Sequence, residues 1–116
     1  MIPTGSEDSA AAAERAFRDL MPGYLVRDDV SEGTGFGKNP GLRHRGHIFA
    51  MLVRGELVVK LTPARVTQLI AAGRGHAFDA GKGRPLRAWL AVSFRPEEAA
   101  GWADLVDEAF EAARSS

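Results

Sequence analysis

The chain has no cysteine. That excludes a disulfide framework and any thiolate metal site. No apolar run approaches the ~20 residues that span a bilayer. The opening MIPTGSEDSAAAAER lacks the basic-then-apolar order of a secretory signal. These absences lead to an expectation of a cytoplasmic protein with no membrane partner. No serine lies in a G-x-S-x-G elbow. Acidic residues nearly vanish from the middle of the chain, where only Glu56 and Asp79 interrupt residues 33–96.

What is present is an ordinary soluble-domain composition. Of 116 residues, 45% are apolar and 26% charged, which suits one folded domain. Residues 1–8 read as a tail and residues 9–116 as a single domain. Formal net charge is zero, but unevenly distributed. Residues 1–32 carry a net −4, residues 33–96 a net +9 and residues 97–116 a net −5. Such asymmetry speaks of partners and not of fold.

Periodicity predicts helices over about 9–21, 62–72 and 96–114. In the first, Ala13, Phe17, Leu20 and Met21 share a face, and Pro22-Gly23 is expected to end it. YLVRDDV reads as a short strand. GHIFAMLVRGELVVKL reads as a hairpin turning at Arg54-Gly55, where arginine is an unusual partner for the glycine and leaves a longer turn open. Alternation puts Phe49, Met51 and Val53 on one face, with Ile48, Ala50 and Leu52 on the other. Leu57, Val59 and Leu61 face the core while Lys60 faces away. Thr62-Pro63 opens the second helix, with Val66, Leu69 and Ile70 as its buried stripe and Gly73 as its cap. His76–Phe78 suggests a short strand. Leu86, Ala88, Leu90, Val92 and Phe94 share a strand face. The last helix buries Trp102, Leu105, Val106, Ala109 and Phe110. The fold class that follows is α+β: an antiparallel sheet flanked by helices, in the order helix, strands, helix, strands, helix.

Motifs for chemistry are scarce. GTGFGKNPG, residues 33–41, has Glu32 where a P-loop needs its first glycine and Asn39 where it needs a hydroxyl. It also fails the G-x-G-x-x-G pattern, and Asn39-Pro40-Gly41 cannot open a helix. Its glycines are read as backbone devices in a connection between strands. His44 and His47, three apart, should face opposite sides of a strand, so no metal site is expected with His76. No acid–base partner can be named for Glu56. The reading is therefore a non-enzyme with no cofactor, no catalytic residue and no metal. The basic centre is the remaining signal. Lys38, Arg43, Arg45, Arg84 and Arg87 form a nucleic-acid-binding candidate if they gather on one face, with Phe36 and Trp89 as stacking residues.

The order of segments resembles the TfoX N-terminal domain family and the related MmcQ/YjbR proteins. The resemblance runs over roughly residues 10–113. It is carried by Gly46, Ile48-Phe49-Ala50, Leu57 through Lys60-Leu61, and HAFDAGKGRPLRAW. Only Phe36-Gly37 matches the family's Arg-x-Met-Phe-Gly-Gly loop. The resemblance implies an antiparallel sheet flanked by helices and a regulatory role beside the transcription machinery, without catalytic residues to carry over. The functional expectation is a small regulatory or protein-interaction domain, with a protein partner. Nucleic-acid binding is the alternative, and a small enzyme or ligand-binding protein is the third.

Overall fold

The computed structural model describes residues 5–34, 40–79, 85–95 and 99–115. Three helices and six strands follow in the order α1 (Gly5–Leu25), β1 (Val30–Thr34), β2 (Pro40–His44), β3 (His47–Val53), β4 (Glu56–Lys60), α2 (Pro63–Ala71), β5 (His76–Asp79), β6 (Pro85–Ser93) and α3 (Ala99–Ser115). The strands make one six-stranded sheet in the order β1-β2-β3-β4-β6-β5. Every neighbouring pair is antiparallel. This is the α+β class that the periodicity predicts.

Two hairpin turns organise the centre. His44 pairs with His47 and Val53 with Glu56, so Arg45-Gly46 and Arg54-Gly55 are both two-residue turns. All four turn residues have positive φ: 53° at Arg45, 85° at Gly46, 52° at Arg54 and 76° at Gly55. This backbone follows the right-handed twist of the strands. It places an arginine in the left-handed region twice, at a cost of about 1–2 kcal/mol each. The open alternative of a longer turn at Arg54-Gly55 is thereby closed.

The helices cover one face of the sheet. Phe17, Met21 and Tyr24 of α1, Val66 and Leu69 of α2, and Trp102, Leu105, Val106 and Phe110 of α3 pack there on Leu42, Phe49, Leu57, Val59 and Leu90. A second cluster, Met51, Val53, Val58, Phe78 and Ala91, lies on the opposite face with Ile48, Leu86 and Trp89 at its margin. Among the described residues, no helix residue belongs to it. Phe78 and Leu86 come from the β5–β6 hairpin, and Arg54 at the β3–β4 turn donates to the Asp79 carbonyl at 3.3 Å.

Several expectations need correction. α1 does not stop at Pro22-Gly23. It runs on to Leu25, because Tyr24, one turn beyond Met21 on the same face, is buried in the core. That packing offsets the backbone bond that Pro22 cannot make. YLVRDDV is accordingly no strand; β1 starts at Val30. The residues of GTGFGKNPG divide among β1, β2 and residues 35–39, which lie outside the described residues. Leu42 pairs with Ala50 but Arg43 pairs with Ile48, so Phe49 is the extra residue of a β-bulge. Phe49 therefore shares the helix-covered face with Ala50 and Leu52, while Ile48 joins Met51 and Val53 on the other. A register shift between Ala77 and Phe78 likewise moves Leu86 to the face opposite Leu90. Ile70 is 38% exposed and is no part of the core. Pro96 lies outside the described residues.

Candidate functional site

The bulge sits at a fork. β3 and β4 pair only as far as Ala50 with Val59. Before Ala50, β3 belongs to β2, through Ile48–Arg43 and His47–His44. After Val59, β4 belongs to β6, through Lys60–Trp89 and a 2.8 Å bond from the Leu61 N–H to the Ala88 carbonyl. Between the diverging strands opens a cleft of about 640 Å³. Phe49, Leu61, Ala88, Ala112 and Ala113 give it apolar walls, and His44, Arg45, His47 and Lys60 bring nitrogen groups. Thr62 and Pro63, where α2 begins, complete one side. Thr62 is the N-cap: its Oγ1 accepts from the Arg65 N–H at 3.2 Å. No carboxylate lines this cleft among the described residues.

His44 is its most constrained polar group. It is 9% exposed, and its ring stands edge-to-face on Phe110 with centroids 5.9 Å apart. Its ring nitrogens have no hydrogen bond to a described residue, and they are not among the fully buried atoms. His44 and Arg45 also line a second, charged cleft with Arg27, Asp29, Glu111 and Arg114. His44 thus stands between an apolar space and a charged one. The expectation that His44 and His47 face opposite sides is wrong. The two-residue turn makes them cross-strand partners, and cross-strand partners share a face. The signal was in HRGH, whose glycine marks the same turn as the one in VRGE. No three His, Asp or Glu side chains gather into a metal-binding group among the described residues.

Three of the five cations of the nucleic-acid candidate are described, and β3 and β4 lie between Arg43 and Arg87. Lys38 and Arg84 lie outside the described residues, as does Phe36. The Arg43 side chain runs over Gly33, where a Cβ would collide with its guanidinium. Arg45 points to Asp29, with 3.3 Å between Nε and Oδ2. Arg87 is exposed on β6, separated from β2 by β3 and β4. Trp89 packs at the margin of the second cluster and is half-buried.

A separate polar group lies at the far end of β4. One Glu56 oxygen meets His76 Nε2 at 3.2 Å, and the other accepts from the Ser93 hydroxyl at 3.0 Å. The residue types are those of a Ser-His-acid triad, but the carboxylate stands in the middle. In a working triad the imidazole contacts the hydroxyl. Here Glu56 takes the serine proton donor itself, so the group joins β4, β5 and β6.

Two contacts tie the helices together. Arg65 of α2 makes a two-pronged pair with Glu108 of α3, at 2.6 and 3.2 Å. The hydrogen bond and charge of Glu108 raise the arginine pKa further above its usual value. Tyr24 of α1 donates to Asp107 of α3. Burial first, and then the bond and charge of Asp107, raise its phenol well above the ordinary tyrosine value.

Compared with known proteins, the chain matches no family model, no curated protein and no solved structure. No helix among the described residues is long and apolar enough to cross a membrane.

Proposed function

We propose that the chain is a regulatory or interaction domain that acts by binding and not by catalysis, with the fork cleft as its working site. The observation that carries this reading is the cleft itself: apolar walls, four nitrogen-bearing side chains and no carboxylate among the described lining residues. Binding sites have this make-up, a mostly apolar concavity with a few placed polar groups. The inverted Ser93–Glu56–His76 order supports the non-catalytic side of the reading. The resemblance to the TfoX N-terminal domain family, carried by the same β3–β4 hairpin, supports the regulatory side, and a protein is the partner proposed.

The test compares immobilised wild-type protein with Ala112→Trp, which fills the cleft from α3, in capture from native extract. A dispersed NMR spectrum must first show that the variant folds. A partner retained by the wild type and lost from the variant is the expected result. Identical retention by both sinks the reading.

Nucleic-acid binding is kept as a second reading because Arg27, Arg45, Lys60 and Arg114 all lie around the β2–β3 turn and its two clefts. Asp29 and Glu111 offset two of these charges. If the reading holds, duplex DNA binds at low salt with a log–log slope of about −0.9 per phosphate neutralised. Anisotropy unchanged at low salt, or binding unaffected by Arg45→Ala, removes it.

A further inference from the structure

We infer that the fork cleft is a site for a small organic anion, an apolar body of alkyl or aryl character ending in a carboxylate. The inference rests on the reading of the cleft as the working site. The volume of about 640 Å³ is right for such a molecule, since small-ligand pockets run from roughly 300 to 1,000 Å³. Phe49, Leu61 and the two alanines of α3 provide an apolar wall. His44 is held edge-to-face on Phe110, and its ring nitrogens make no hydrogen bond to a described residue and so stand open to a ligand. It lines the cleft beside His47, its cross-strand partner. An incoming carboxylate would accept a hydrogen bond from that ring.

Charge selects the sign of the ligand. Lys60 and Arg45 flank the cleft, the latter partly offset by Asp29, and the start of α2, the positive end of its dipole, lies at its side. A cationic ligand would be repelled by all of these. A neutral one would gain only the apolar contact.

The experiment titrates ¹⁵N-labelled protein with naphthalene-2-carboxylate, naphthalene-2-methanol and naphthalene-2-methylammonium. Saturable shifts confined to residues 44–49, 60–63 and 112–113 are expected for the carboxylate. The alcohol should bind at least about tenfold more weakly and the ammonium ion not at all. His44→Leu, which keeps the ring's apolar bulk and removes its nitrogens, should weaken the carboxylate about fivefold or more while leaving the alcohol unchanged. Ala112→Trp should abolish both. Lys60→Met should flatten the salt dependence and serves as the second variant if His44→Leu does not fold. Equal affinity for alcohol and carboxylate overturns the inference. So do shifts that map to the opposite sheet face, or the absence of saturation up to the solubility limit. If capture of a partner is cleft-dependent while the carboxylate fails to bind, the binding-domain reading stands and the anion inference falls.

Discussion

Tyr24 is the one tyrosine in the chain, so its ionisation can be followed without interference. It is 5% exposed, packs edge-on against Phe49 and Phe110, and donates to Asp107. A phenol whose pKa is raised by folding stabilises the native state below the unfolded value of about 10, and that contribution is lost as pH rises above it. Ultraviolet titration should therefore show tyrosinate appearing well above pH ~10, together with alkaline unfolding. A midpoint at the free-tyrosine value would contradict the buried, hydrogen-bonded placement. Tyr24→Phe keeps the ring and loses the bond. Asp107 is exposed and can turn to water, so the cost should be about 1 kcal/mol in urea denaturation. The turn glycines act through the backbone alone. A Cβ at Gly46 meets nothing within 4 Å, yet its φ is +85°. Gly46→Ala should cost about 1 kcal/mol or more, wholly through left-handed strain. A neutral result would mean that the turn relaxes to another type.

At the scale of elements, Gly23 presents the opposite case. It lies inside α1, and a Cβ there also meets nothing within 4 Å. Gly23→Ala should therefore stabilise the protein by about 0.5–1 kcal/mol. Unchanged or lower stability would show that the last turn of α1 needs the glycine. The same helix shows what was legible in the sequence. Its apolar stripe, Ala13, Phe17 and Met21, was plain from spacing, but its end was not, because the burial of Tyr24 is a tertiary fact. α2, its threonine cap and the positive φ of 74° at Gly73 could be read directly, since cap chemistry is local. The strands of the central hairpin were legible, whereas the bulge was not. Alternation assumes regular pairing, and nothing in Ile48-Phe49-Ala50 announces an extra residue. That irregularity marks where the cleft opens, so the candidate site stayed hidden while the hairpin beside it was evident. β2 was missed because Pro40 and Gly41 read as breakers, although Pro40 is tolerated as the first residue of a strand.

Across the whole molecule, the sheet is assembled from two kinds of connection. β2, β3 and β4 follow one another through two-residue turns. β4 meets β6 only after the chain has passed through α2 and β5. The first kind closes short loops and the second a long one, which sets an order of events in time. Hairpins form in about 1–10 μs, and the entropy of longer closures is met later. The β2–β4 meander is thus the natural nucleus on which α1, β6 and α3 condense. Val58 and Met51, paired across the β3–β4 hairpin, should be largely in place in the folding transition state. Val58→Ala is expected to slow refolding, whereas Phe110→Leu in α3 should chiefly speed unfolding. Stopped-flow chevrons for the two variants check this, and the reverse pattern would place the nucleus among the helices. The two strained Arg-Gly turns thereby acquire a kinetic meaning: each confines a few residues early, so that the long closure to β6 begins from a platform already formed.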